Sequence, residues 1–215
     1  MLKTDPEMLL VLLAALLAGV IHVVTGPDHL VAITPLISER PRRGVATGLF
    51  WGLGHASGTI LVGLAALALR EVLPLARISA ISERLVALAL IALGLWGIRR
   101  ALRRAADHHD EPRTHGHGYG RLFATALPIG TLHALAGGSH LLGIMPAVVL
   151  PDRRLALAYL LVFGLGAILA MAGWSAVVAW AARRLSLRGP AASRWLLAGT
   201  SSAALAVGCV WLAIG

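Results

Sequence analysis

The sequence predicts an all-α integral membrane protein of about six transmembrane helices, arranged as two inverted three-helix repeats whose first helices are broken. Of the 215 residues, 58% are hydrophobic and 13% charged, with a mean hydropathy of +0.80, which is more apolar than a soluble domain. Runs of roughly 18 or more nearly uncharged residues recur, and each is long enough to cross a bilayer core of ~30 Å. A segment near the N-terminus also recurs in the second half.

The weakly charged runs predict spans at 8–36, 44–69, 85–98, 122–150, 155–182 and 195–214. The third is short unless it includes residues 80–84. The first does not resemble a signal peptide, because Asp5 and Glu7 accompany Lys3 in its leader and no cleavage site is clearly placed. We expect one membrane domain, in which 1–106 form the first repeat, 107–120 a linker and 121–215 the second repeat.

The basic residues predict the topology. With the N-terminus outside, 13 of the 19 lysines and arginines fall in inner loops, as the positive-inside rule requires. We expect a multi-pass protein of the cell (cytoplasmic) membrane with a cytoplasmic central loop. The net charge of +9 is therefore interpreted as a topology signal, and no nucleic-acid partner is expected. Cys209 is the single cysteine, which excludes an intramolecular disulfide.

The segment HVVTGPDHLVAITPL, residues 22–36, aligns without a gap with HALAGGSHLLGIMPA, residues 133–147. In both copies two histidines lie seven residues apart, with glycine or proline between them. Glycine weakens a helix and proline removes a hydrogen bond, so we expect interruptions near mid-membrane. Packing kinks are the alternative. The predicted break residues are Gly26, Pro27, Pro35, Gly137, Gly138 and Pro146.

A weaker similarity links RRGVATGLFWGLGH, residues 42–55, to RRLALAYLLVFGLG, residues 153–166, through the arginine pair and the GLG triplet. Two copies of a three-span unit would lie in opposite orientations in the membrane. Inverted repeats with broken helices at matching positions are typical of transporters, and the breaks mark the binding site.

Polar groups around these breaks are the candidate metal ligands. A carboxylate within the bilayer is costly, so Asp28 is a functional candidate, although a helix ending at residue 25 would make it an N-cap instead. A single histidine is usually a hydrogen-bonded core residue, but five in predicted spans indicate a site. The expected ligands are His22, Asp28, His29, His55, His133 and His140.

Imidazole and carboxylate without thiolate suit borderline divalent metals such as nickel, cobalt or zinc. The histidines must be neutral to bind a metal, so protons should compete and affinity should fall in acid. On an unbroken helix His22 and His29 would be separated by about 10 Å along the axis. The break is therefore needed to bring them together.

HVVTGPDH and GLGHASG together resemble the motifs of the nickel/cobalt transporter superfamily, particularly its short, six-span, urease-accessory-protein-like branch. The resemblance implies metal-binding roles for His22, Asp28, His29 and His55. Five residues separate His22 from Asp28, whereas the well-known permeases have four at this place. Ser139 stands where the second copy would need an aspartate, so the two halves are chemically unequal.

The linker DHHDEPRTHGHGYG, residues 107–120, carries four histidines and three acids. Histidine-rich tracts can collect metal, and a solvated linker is the equal alternative. The candidate accessory ligands are His108, His109, His115 and His117.

The sequence therefore predicts a transporter of Ni²⁺ or Co²⁺ that works by alternating access, with the metal as substrate, no permanent cofactor and no enzymatic activity. A membrane hydrolase is disfavoured because HExxH and a glutamate within a span are absent. Two rival functions stay open: a haem protein ligated through His22 and His133, and an exporter of a small organic solute. The metal ion and the lipid bilayer are the expected partners, and the sequence leaves homo-oligomer formation open.

Overall fold

A computed structural model describes the backbone of residues 6–68, 75–106, 119–135 and 138–214, and the side chains of these residues except 75–83, 104–106, 119–123 and 138–142. Every regular element in these ranges is helical. The elements are α1 (Pro6–Thr25), α2 (Pro27–Glu39), a 3₁₀ turn (Pro41–Arg43), α3 (Gly44–Ala68), α4 (Leu75–Ala106), α5 (Tyr119–Leu135), α6 (Gly138–Val149), α7 (Arg153–Ser186) and α8 (Pro190–Ile214).

Five described helical segments are long and apolar enough to cross a membrane: Pro6–Thr25, Pro41–Ala68, Arg84–Arg103, Arg153–Ser186 and Pro190–Ile214. The predicted span 8–36 is divided into α1 and α2, and the predicted span 122–150 into α5 and α6. Neither α5, with 17 residues, nor α6, with 12, reaches the length of a simple span. Glycine and proline at the divisions explain the difference, because both disfavour a continuous helix.

The third span, predicted as 85–98, is the middle of the 32-residue helix α4. Its flanking stretches are rich in alanine, leucine and arginine, which favour helix. The charged residues that limit the apolar run therefore do not end the helix. The helix continues beyond the segment that hydropathy marks.

Leucine, isoleucine and valine side chains cover the outside of the bundle. On α1, Leu9, Leu13 and Leu17 are each more than half exposed, and Leu161 and Leu169 on α7 are similarly exposed. Soluble monomers rarely expose such large apolar surfaces. The described helices thus have the composition and surface of a multi-pass membrane protein.

Several described helix pairs approach so closely that a glycine of one helix lies against the backbone of the other. Where α3 crosses α5, a Cβ added to Gly54 would overlap the carbonyl oxygen of Leu127, and one added to Gly130 would overlap that of Trp51. Glycine on both helices is therefore required by the contact. Small residues at crossings allow this close packing in membranes.

The crossing of α1 and α7 has the same construction. A Cβ added to Gly166 would overlap the carbonyl oxygen of Leu16, and one added to Gly19 would overlap that of Phe163. In addition α3 packs along α7, and α8 packs against α4 and α2. The short helix α2 is thereby enclosed by long helices.

Polar contacts join three segments at one end of the bundle. Arg100 on α4 donates from Nε to Oε1 of Glu39 at 2.9 Å, and Arg183 on α7 donates to the carbonyl oxygen of Pro41 at 3.3 Å. The ends of α4 and α7 therefore lie beside the turn at 40–43. The chain then reverses into α8 through Gly189, whose φ of 114° favours glycine.

We expect Gly54→Ala to lower the melting temperature in detergent, because the added methyl group would force α3 and α5 apart at a cost of about 1–3 kcal/mol. The matched control is Gly173→Ala, since a Cβ there meets nothing within 4 Å. Equal melting temperatures for the two variants, measured by thermal unfolding, would contradict this packing.

Candidate metal centre

A single residue, Gly26, separates α1 from α2. Pro27 occupies the first position of α2, where proline's missing N–H would have no helical partner anyway. Gly26 has an extended backbone, with φ −86° and ψ 99°, and a Cβ on it would overlap the ring of His29. The glycine therefore does more than interrupt the helix, because it also makes room for the His29 side chain.

The other predicted break residues are placed differently. Pro35 lies inside α2 and Pro146 inside α6, so both helices continue through their prolines, contrary to the prediction. A proline costs one helix hydrogen bond, and a packed helix tolerates this loss. In the second half α5 ends at Leu135 and α6 begins at Gly138. Gly137 lies outside the described residues.

The turn at Gly26 brings His22 and His29 into contact. Their ring centroids are 4.7 Å apart, with an interplanar angle of 83°. This separation is less than half of the roughly 10 Å that seven residues of continuous helix would impose. The interruption thus turns two residues of one sequence motif towards each other.

Two further histidines join them from other helices. His55 on α3 lies 4.9 Å from His29 and 5.6 Å from His22, measured between ring centroids. His133 on α5 lies 4.7 Å from His29. His29 and His55 are fully buried, and His133 is 3% exposed. Four of the five predicted histidine ligands therefore form one cluster.

Asp28 lies in the same cluster and is 2% exposed. Its Oδ2 is 2.8 Å from Nε2 of His133, and its Oδ1 is 3.2 Å from Nδ1 of His29. Although α1 does end at residue 25, the N-cap of α2 is Gly26, so Asp28 is not the capping residue. Within the described ranges, its carboxylate has no lysine or arginine within ion-pair distance.

These side chains form two groups suited to hold a metal ion. The first consists of His22, His29 and His55, and the second of Asp28, His29 and His133. In each group the ligand atoms lie within 4.8 Å of one another. A tetrahedral ion with bonds of about 2.1 Å places its ligand atoms about 3.4 Å apart. Small side-chain rotations would close either group around one ion.

Two aromatic side chains flank the cluster. Trp51 lies 5.9 Å from His133, and Phe163 lies 5.6 Å from His22, measured between ring centroids. Sequence reasoning missed both residues, although a signal was present: each directly precedes one of the two GLG triplets. Both are buried, and they form part of the wall of the site on its His133 and His22 sides.

The space beside the cluster is small. A cavity of about 10 Å³ lies among Ala32, Trp51, Leu90 and His133, between α2, α3, α4 and α5. A volume of this order accepts about one water molecule. This cavity therefore has room for an ion or a water molecule.

Three curated proteins are similar to this chain. Chloroplast protein FOR GROWTH AND FERTILITY 2 of Arabidopsis thaliana is 30% identical over 89% of the chain and 53% of its own length. FOR GROWTH AND FERTILITY 1 of the same plant is 29% identical over 89% of the chain and 56% of its own length. The chain thus spans about half the length of these plant relatives.

Urease accessory protein UreH of Bacillus sp. (strain TB-90) is 25% identical over 80% of the chain and 77% of its own length. The similarity to UreH is distant. No family model matches the chain, and no solved structure matches it. The names of the three relatives describe growth, fertility and accessory roles, and none names an enzymatic activity.

The remaining predicted ligands lie outside what the structure describes. His140 belongs to α6, but its side chain is not among the described ones. The linker histidines His108, His109, His115 and His117 are also outside the described residues. Their metal-binding roles stay predictions.

We expect Gly26→Ala to weaken cobalt binding about tenfold or more, because the new methyl group would displace the His29 ring that both ligand groups share. Equilibrium dialysis of the purified protein measures this effect. Gly199→Ala is the matched control, since a Cβ there meets nothing within 4 Å. Unchanged cobalt affinity in Gly26→Ala would show that the position of His29 does not matter for binding.

Proposed function

We propose that this chain transports a divalent transition-metal cation, nickel or cobalt, across a membrane by alternating access. The observation that carries the proposal is the position of Asp28, a buried carboxylate whose described ion-pair partners are imidazoles. Burying a carboxylate in an apolar bundle costs several kcal/mol unless a cation compensates it. A bound divalent ion would supply that compensation.

The donor atoms favour this class of metal. Nitrogen from imidazole and oxygen from a carboxylate suit nickel, cobalt and zinc, whereas Cu(I) prefers sulfur. Cys209 is exposed and lies on α8, which contributes no ligand to either group. The resemblance of the two motifs to nickel/cobalt transporters and the distant similarity to UreH support nickel or cobalt within this class.

Three protein ligands in each group suit a transported ion. A site with fewer than four protein ligands keeps a position for water or for an incoming ligand, unlike the closed tetrahedral sites that hold structural zinc. Transport requires both binding and release. The ligands of the first group lie on three helices and those of the second on two, α2 and α5. Each group meets both requirements, because movement of one helix removes at least one ligand.

Paired helix contacts support the inverted repeat. The crossing of α3 with α5 and that of α7 with α1 use corresponding glycines, each facing a carbonyl oxygen of the partner helix. Aligning the two histidine segments and the two GLG triplets matches α1 with α5 and α3 with α7. Inverted repeats of this kind allow rocking about a central site.

The two rival functions, binding a haem and exporting an organic solute, fit the geometry of the cluster less well. A haem held between His22 and His133 would need a flat space between the two rings, but both rings pack directly on His29. An organic solute would need a pocket of about 300 Å³ or more, and among the described residues the cavity beside His133 has about 10 Å³. A small cation therefore suits the cluster best.

In the transport test, cells expressing the wild type should accumulate or lose nickel or cobalt relative to cells without it. We expect Asp28→Asn with His29→Ala to abolish this difference, because the change removes the carboxylate and the shared imidazole. Metal content is measured by mass spectrometry at matched expression, with Cys209→Ser as a control that touches neither ligand group. Wild-type metal levels in cells expressing the Asp28→Asn and His29→Ala variant would refute the proposed site.

We further propose that the N-terminus faces outward and the central loop faces the cytoplasm of a cell membrane. In a Cys209→Ser background, Arg42→Cys and Arg188→Cys should react with an impermeant maleimide from the cytoplasmic face alone, and Arg153→Cys from the opposite face alone. All three positions are exposed. Labelling of Arg42→Cys and Arg153→Cys from the same face would exclude this topology.

A further inference from the structure

His29 lies at the centre of the cluster and contacts three imidazole rings. His22 and His133 stand in the same relation to it: both ring centroids are 4.7 Å from that of His29, at interplanar angles of 83° and 82°. His22 comes from α1 and His133 from α5. The central ring therefore has equivalent neighbours from the two halves of the chain.

The equivalence extends to the sequence and to the flanking aromatic rings. His22 and His133 are the matching first residues of the repeated segments, and Phe163 and Trp51 both precede a GLG triplet. Phe163 lies beside His22 and Trp51 beside His133, at 5.6 and 5.9 Å. The pair His22 and Phe163 therefore corresponds to the pair His133 and Trp51, just as the first sequence repeat corresponds to the second.

The two ligand groups overlap only at His29. The 4.8 Å separation holds within each group and not across all five side chains, because His22 and Asp28 belong to different groups. An ion held by His22, His29 and His55 can instead pass to Asp28, His29 and His133 while it stays bound to His29. This exchange replaces two ligands and never leaves the ion without a protein ligand.

In a transporter built from inverted repeats, the two halves exchange conformations when the site changes the side that it faces. We propose that His22 and His133 are alternate ligands around a shared His29, the His22 group being loaded from one face of the membrane and the His133 group from the opposite face. This inference rests on the proposed transport function and on the inverted repeat.

Asp28 makes the two loading states unequal. It contacts His133 and His29, and it belongs to the His133 group alone. A carboxylate strengthens binding of a divalent cation in a medium of low dielectric. We therefore expect a lower apparent KM for metal that enters from the face served by the His133 group.

The test compares cobalt entry into membrane vesicles of the two orientations, right-side-out and everted. His22→Gln should raise the apparent KM about tenfold or more in one orientation and leave the other nearly unchanged. His133→Gln should have the reverse pattern. His29→Gln should raise it in both orientations, because His29 belongs to both groups.

If His22→Gln and His133→Gln raise the apparent KM in the same orientation, or equally in both orientations, the alternate-ligand proposal is overturned. The proposed transport function would survive this result. Absence of both cobalt and nickel entry with the wild type in either orientation would instead refute the proposed function.

Equilibrium binding to purified protein provides a second readout if a variant is poorly inserted. Each single variant should still bind one Co²⁺, and the two should have different visible spectra, since only His22→Gln retains the complete Asp28 group. The double variant, His22→Gln with His133→Gln, should bind Co²⁺ weakly. Identical spectra for the two single variants would contradict the existence of two ligand groups.

Discussion

Asp28 places a carboxylate inside an apolar bundle, with His133 and His29 at 2.8 and 3.2 Å from its oxygens. Its position requires α2 to begin within the bundle and α5 to pass beside that point. It also requires the two helices to be held firmly, because a buried charge tolerates little displacement of its partners. The close glycine crossings, such as that of Gly54 with Leu127, fix α5 on α3 and thereby support this arrangement.

Much of the site could be predicted from the sequence. Charge in an apolar run is costly, which singles out Asp28, and repeated histidines beside glycine and proline indicate a turn that brings them together. Hydropathy likewise located the long helices, because crossing a bilayer demands a minimum apolar length. A capping role for Asp28 at the start of α2 could be weighed from the sequence, but only the backbone shows that Gly26 takes that position.

Other features depend on tertiary contacts that no local pattern contains. Pro35 stays within α2 because packing outweighs one missing hydrogen bond, and propensity alone predicts a break there. The GLG triplets are visible in the sequence as a similarity, whereas their function as backbone contacts depends on which helix lies opposite. Trp51 and Phe163 were missed because a large apolar residue in a membrane span is common and gives no sign of its neighbours.

α2 contains 13 residues and is therefore only about 20 Å long, and its first turn carries the buried side chains of Asp28 and His29. The first turn of a helix carries roughly half an elementary positive charge, a field that attracts anions. Asp28 stands in that turn and opposes the field with a full negative charge. Asp28 and the positive end of α2 therefore stabilise each other, and exchanging one carboxylate oxygen for an amide nitrogen would remove the negative charge that faces this helix end.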